Sequence, residues 1–253
     1  MAYVIALAGK GGTGKTTIAG LTIRYLIEKR HKPVLAVDAD SNSCLNETLG
    51  VSVHTTIGRL REESLEIIRG GAERPGGMSV DELFDYQVQQ SLIEAKGFDL
   101  LVMGRPEGPG CYCAANNIIR RYTDRLSERY HYVVIDNEAG MEHLSRRTTH
   151  RVNLMFIVSD PTQKGIHTVE KINGLIDELG LDVGRRVLII NRISDIGLVK
   201  PKGSMEGVEI ISYVPEDEKI FQSDIEGKPI FELPSDSKAI TSVFKMLDSL
   251  GIP

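Results

Sequence analysis

The chain has 253 residues, with 30 Lys and Arg against 35 Asp and Glu and a formal net charge of −5. That length suits one α/β domain with a sheet buried on both faces, and the acidic balance argues against a non-specific nucleic-acid surface. Three cysteines are too few for a disulfide framework, the first apolar run is too short for a signal peptide, and no run approaches the roughly 18 apolar residues of a membrane span. The expectation is a single 1–253 domain in the cytoplasm, with neither nucleic acid nor membrane as partner.

The apolar run at residues 4–8 leads directly into Gly9-Lys10-Gly11-Gly12-Thr13-Gly14-Lys15-Thr16-Thr17. Gly9, Gly14, Lys15 and Thr16 satisfy G-x-x-x-x-G-K-[ST], and the motif sits between a strand pattern and a helical one, the setting of a phosphate-binding loop. Successive backbone N–H groups of Gly11, Gly12, Thr13, Gly14 and Thr17 can turn inward there, aided by the positive end of the helix that follows. Lys15 would neutralise the β- and γ-phosphates, and the Thr16 hydroxyl would bind Mg²⁺.

Residues 17–29 carry apolar side chains near helical spacing and stop at Arg30-His31-Lys32-Pro33. A strand over 34–37 then ends in Asp38-Ala39-Asp40-Ser41-Asn42. Strand, crossover helix and parallel strand make a βαβ unit with its ligand at the carboxyl ends of the strands, which brings Asp38 and Asp40 beside the phosphates. A short helix containing Cys44 is expected over 43–49, with Gly50 as its stop. Residues 51–96 read as an insertion with helices near 57–68 and 80–86 and without identifiable chemistry.

A core strand at 98–103 runs into a loop with Cys111-Tyr112-Cys113, followed by a helix over 116–130. Two thiols one residue apart supply half of a tetrahedral or square-planar shell for a soft metal, and a two-fold dimer would supply the other half. On spacing alone, a redox pair or two unconnected thiols are equally admissible. Residues 132–136 are an apolar run closing on Asp136, the form in which a carboxylate holds Mg²⁺ through water. Glu138 follows, with a structural or signalling part expected of it, and then Gly140. Arg120-Arg121 and the basic stretch 145–151 read as solvated helix faces, and His143 and His150 as ordinary surface or packing residues. Further strands are expected at 154–158, 187–190 and 209–214, and helices at 165–179 and 237–250, the last without the character of a membrane-targeting tail. Ile220, Phe221, Ile225 and Ile230 read as core.

The loop Lys-Gly-Gly-x-Gly-Lys-Thr, with its early Lys10, resembles the deviant phosphate loop of the MinD/ParA (SIMIBI) ATPases. The resemblance implies a P-loop NTPase fold: a single doubly wound, mostly parallel sheet flanked by helices. It also implies ATP hydrolysis to ADP in a homodimer, with Lys10 reaching the partner's nucleotide. By the same likeness Asp40 positions the attacking water, Asp38 supports the metal's surroundings, Gly140 approaches the γ-phosphate, and Asn191 reads the adenine edge. Arg192 stands where a lysine is usual in that family, and Pro215-Glu216-Asp217 would cover the base. Gly-Cys-Tyr-Cys, followed by Asn-Asn and an Arg-rich helix, looks like the CooC-type maturation ATPases of carbon monoxide dehydrogenase and acetyl-CoA synthase. That narrower likeness implies a metallochaperone with Ni²⁺, or Zn²⁺, on Cys111 and Cys113 at the dimer interface and a nickel enzyme as client. Two other readings stay open: an assembly switch of the ParA/MinD kind, and a reductase bridged by an iron–sulfur cluster like the nitrogenase iron protein.

Overall fold

The computed structural model describes residues 2–42, 44–70, 77–104, 125–126, 128–138, 151–194 and 205–253. Strand β1 (Tyr3–Gly9) leads through the glycine loop to α1 (Lys15–Tyr25), which widens into a π-helical turn over Leu26–Arg30 before β2 (Val34–Ala39). Next come α2 (Leu45–Leu49), α3 (Ile57–Gly70), α4 (Val80–Gln90), β3 (Ile93–Ala95) and β4 (Phe98–Val102). Strands β5 (Tyr132–Asn137) and β6 (Val152–Ser159), helix α5 (Gln163–Glu178) and strand β7 (Val183–Ile193) follow. The chain closes with β8 (Ile210–Pro215), α6 (Glu218–Ile225) and α7 (Lys238–Ser249).

Eight strands form one sheet in the order β3-β4-β2-β5-β1-β6-β7-β8. All pairs are parallel except β3 with β4. From β1 the path moves outward to β2 and β4, returns to β5 between β2 and β1, and only then crosses to β6 on the far side of β1. Both flanks of β1 therefore change direction next to its carboxyl end, the position where open α/β sheets place their ligands.

Alternation along the strands divides the core into two layers. Ile5, Leu7, Val134, Phe156 and Ile189 face α1 and α7, where Ile18, Leu21, Tyr25, Val243 and Leu247 meet them. Ala6, Leu35, Ile135, Ile157 and Leu188 face the opposite way, against Ile57, Phe84, Val88, Val169 and Ile176 of α3, α4 and α5. Burial on both faces explains why the central strands read as continuous apolar runs. It is a doubly wound α/β fold.

Several local expectations change. The 51–96 stretch does not stand apart from the sheet: α3 and α4 cover one of its faces, and β3 adds an antiparallel edge that three residues were too short to announce. Helix α4 runs to Gln90, fixed at its start by a capping box between Ser79 and Glu82, and β7 extends well beyond the apolar quartet. Ile230 is buried, but Phe221 and Ile225 are not core residues; they stand exposed on α6. The helix expected over 116–130 falls mostly outside the described residues, apart from a helical pair at 125–126.

Candidate functional site

Gly9 ends β1 at φ 152°, and a Cβ placed on it would lie 2.2 Å from the Val158 carbonyl oxygen, so the chain leaves the sheet where only glycine fits. Gly12 and Gly14 also take positive φ, 78° and 88°, a conformation that lets neighbouring amides point to one side of a concave loop. The loop closes on the Lys10 carbonyl, which accepts from the Thr13 hydroxyl at 2.9 Å and from Lys15 Nζ at 3.3 Å. Lys10 itself is exposed, whereas Lys15 is buried. Burial pushes the Lys15 ammonium pKa down, and the charges of Asp136, Asp40 and Glu138 oppose that shift.

The carboxylates converge because β2 and β5 are adjacent and in register: Asp38 pairs with Asp136, and Asp136 with Leu7 of β1. Alternation puts both on the α1 side of the sheet. Asp38 is fully buried, its Oδ1 accepting from the Asp40 amide at 3.1 Å and its Oδ2 from the Leu45 amide at 3.0 Å. Burial pushes its pKa up to about 7 despite those two donors. Burial likewise raises Asp136 to about 6, against the lowering influence of the Thr16 hydroxyl and Lys15. Next to it, Asn137 donates to the Leu7 carbonyl at 2.8 Å and ties β5 to β1.

A hydrated Mg²⁺ ion fits this donor set. Asp136 Oδ1 is buried without a hydrogen-bond partner among the described residues, a condition that is costly unless a ligand or its water completes it. Asp136, the Thr16 hydroxyl and the glycine loop lie together at the strand ends, so a polyphosphate and its cation would share them.

Asp40 is half-buried and accepts from the backbone and side-chain amides of Asn42 at 2.8 and 3.1 Å. Beside it, the Ser41 hydroxyl donates to Glu138 at 3.2 Å. This bond joins the segment after β2 to the one after β5. Nothing in the sequence announced it, since the two residues are 97 positions apart.

On the other side of the loop, Asn191 is buried and donates through Nδ2 to the Thr13 carbonyl at 2.9 Å. Arg192 bulges out of β7 at φ 59° and lays a guanidinium N–H on the Gly12 carbonyl at 3.2 Å. Both residues border a cleft of about 840 Å³ that starts at Thr17 and runs past Pro215 and Asp217 to α6. The loop residues, Asp38, Asp40, Asp136, Asn191, Arg192 and Pro215 are thus gathered around one end of the sheet.

Cys111 and Cys113 lie outside the described residues, as do Arg120, Arg121, Gly140, His143 and His150. Cys44 is exposed just ahead of α2 with its thiol pKa pushed up by burial of the sulfur and by the nearby carboxylates. Among the described residues no group of three or more His, Cys, Asp or Glu side chains is placed to hold a metal ion directly. No helix among them is long and apolar enough to cross a membrane.

Comparison with known proteins agrees with this geometry. The chain is 38% identical over 249 residues to an uncharacterized ATP-binding protein of Methanocaldococcus jannaschii, covering 98% of each chain. It is 30% identical over 240 residues to the carbon monoxide dehydrogenase accessory protein CooC of Rhodospirillum rubrum, covering 90% of this chain and 89% of that one. Among solved structures, a ParA family ATPase from Chlorobium tepidum superposes with a TM-score of 0.74 at 17% identity, over 98% of both chains. The septum site-determining protein MinD of Pyrococcus horikoshii, solved with Mg-ADP, gives 0.68 at 20% identity over 99% of this chain and 96% of that one. Residues 4–230 match the CobQ/CobB/MinD/ParA nucleotide binding domain. The protein therefore belongs to the CobQ/CobB/MinD/ParA family of P-loop nucleotide-binding proteins.

Proposed function

We propose that this protein is a homodimeric ATPase that carries nickel, or zinc, on Cys111 and Cys113 and assists insertion of nickel into a client such as carbon monoxide dehydrogenase or acetyl-CoA synthase. It would act in the cytoplasm as a single 1–253 domain. The observation that carries the nucleotide half is the convergence beneath the glycine loop of buried Lys15 and buried Asp136, whose Oδ1 has no hydrogen-bond partner among the described residues. The metal half rests on the Cys-Tyr-Cys sequence and on 30% identity to an accessory protein of a carbon monoxide dehydrogenase.

In this reading the amides of the 9–17 loop and the Lys15 ammonium hold the β- and γ-phosphates, and the Thr16 hydroxyl and Asp136 hold the cation. The charge neutralisation that a bound Mg²⁺ would supply to the phosphates depends on these two residues holding it. Asp40 orients the attacking water, Asp38 keeps Asp40 and the start of α2 in place through its two accepted amides, and Lys10 reaches the nucleotide of the second subunit. Two chains meeting at their loops would bring four thiolates together, a set that accepts Ni²⁺ or Zn²⁺. The metal is cargo here.

The metal-to-subunit ratio, measured on ADP-bound and ATP-bound protein, tests the reading. Wild-type protein is expected to hold one soft metal per dimer, and Cys111→Ala with Cys113→Ala to lose it while ADP still binds. Stoichiometric nickel retained by the double variant would defeat the metal assignment. A second reading, an assembly switch, draws on 24% identity to the septum site-determining protein MinD of Synechocystis over 99% of this chain; it predicts dimerisation with ATP and no stoichiometric metal. Visible absorption under anaerobic conditions would separate both from a bridging iron–sulfur cluster.

A further inference from the structure

Ser41 and Glu138 meet where the turn after β2 faces the turn after β5. The Ser41 hydroxyl donates to Glu138 Oε1 at 3.2 Å, and both residues are half-buried. Ser41 directly follows Asp40, and Glu138 stands two positions beyond Asp136. The bond therefore lies one residue from the carboxylate assigned to the water and two from the carboxylate assigned to the cation.

Local bonds give the Asp40 turn its shape. Asp38 Oδ1 accepts from the Asp40 amide at 3.1 Å, and Asp40 Oδ1 accepts from the backbone and side-chain amides of Asn42 at 2.8 and 3.1 Å. Each of these spans two positions of sequence, so they build the turn on the end of β2 without setting how far it leans toward β5. The Ser41 bond spans 97 positions and supplies that constraint.

Charge opposes the same approach. The Asp40 carboxylate raises the pKa of both Asp38 and Asp136, so each of those groups, when ionised, repels it. Lys15 attracts Asp40, Asp136 and Glu138 alike, but a bound phosphate would engage that ammonium. Arg192 is occupied on the Gly12 carbonyl, and Lys10 is exposed. A neutral hydroxyl can approach a carboxylate where a second carboxylate is repelled, and a hydrogen bond to an ionised oxygen is among the stronger kinds.

We propose that Ser41 and Glu138 are positioning residues: their hydrogen bond holds the Asp40 turn against the end of β5, so that the Asp40 carboxylate meets the attacking water in a fixed orientation. Both act through Asp40. The proposal rests on the hydrolytic reading above.

Single-turnover hydrolysis of Mg-ATP and ATP affinity, both measured on the full chain, test it. Ser41→Ala should slow hydrolysis of bound ATP about tenfold, the rate equivalent of one hydrogen bond to a charged group, and leave ATP affinity within about twofold of wild type. Glu138→Ala should be slowed as much, and the double variant should be at most about twofold slower than either single, because the two changes remove one bond. Two conservative variants separate this from a general weakening of the turn. Ser41→Thr keeps the hydroxyl, and Glu138→Gln keeps an acceptor oxygen while removing the charge that acts on Lys15. Both should hydrolyse ATP within about threefold of wild type. Wild-type hydrolysis in either alanine variant, losses that multiply in the double variant, a Ser41→Ala affinity that falls as far as its rate, or conservative variants as slow as the alanines would each overturn the positioning role and leave hydrolysis at this site intact. A wild-type chain that does not hydrolyse bound ATP, or an Asp40→Ala chain that hydrolyses it normally, would overturn the hydrolytic reading, and this inference with it.

Discussion

The side-chain amide of Asn191 donates to the carbonyl of Thr13 at 2.9 Å, joining the end of β7 to the phosphate loop across 178 positions of sequence. Gly14 lies beneath that bond. A Cβ on Gly14 would stand 2.4 Å from Asn191 Nδ2, so the glycine and the asparagine are spatially interdependent as well as close.

Gly14→Ala should therefore cost more than Gly12→Ala. Both glycines take positive φ, but around Gly12 a Cβ meets no atom within 4 Å. Backbone strain alone is worth about 1–2 kcal/mol, and displacing Asn191 from Thr13 adds about 1 kcal/mol. Urea denaturation of the two variants checks the order; equal midpoints would show that Asn191 yields without cost.

Stability of the nucleotide-free protein should fall as pH rises from about 4 to about 7. Asp38 and Asp136 are raised from 3.8 to about 7 and about 6, in both cases mainly by burial. Between the ordinary and the raised values, the folded chain keeps protons that the unfolded chain has released. The stabilisation is thus full below the ordinary carboxyl value and is lost as pH passes about 6 and then about 7. The slope is at most about 1.4 kcal/mol per pH unit for each carboxyl. Thermal melts across this range check it, and Asp38→Asn should flatten the dependence. A melting temperature that climbs over the interval would contradict the burial argument.

Asp40→Ala should retain ATP while hydrolysis drops by about 10²- to 10⁴-fold, the usual worth of a positioned proton-handling or water-orienting group. Single-turnover assays separate the two effects, because in the proposed function binding runs through the loop and Lys15. Near-normal turnover would remove Asp40 from the role.

Arg24 is buried on α1, and its guanidinium donates to the carbonyls of Ile230 and Leu233, both at 2.8 Å, and to Glu28 at 2.7 Å. Arg24→Ala would leave two buried carbonyls without their donor, a loss of about 3 kcal/mol. Chemical denaturation should show it, with ADP affinity unchanged at temperatures where the variant is folded.

The phosphate loop, the two aspartates at the end of β2 and Asp136 at the end of β5 were legible because each is a local pattern: a strand, then the chemistry at its carboxyl end. Order along the chain was enough to infer that they meet, since parallel strands joined by crossovers all point their carboxyl ends the same way. The Ser41 to Glu138 bond was not legible, because β5 inserts between β2 and β1 and only that pairing brings the two turns together. Strand β3 was missed because three residues carry no period.

Phe221 and Ile225 show the limit most clearly. Helical spacing indicates that they share a face, and an apolar face is ordinarily a buried one. Which body lies opposite depends on where β8 ends and on the anchoring of Asp217 by Ser237, and these turn the pair toward the cleft instead of the core. Local patterns in the chain thus determined the elements, their alternating burial and the glycine loop and carboxylates at the strand ends. Only the tertiary arrangement decided which residues face one another across the sheet and which apolar surface stays open, because both depend on packing between segments far apart in sequence.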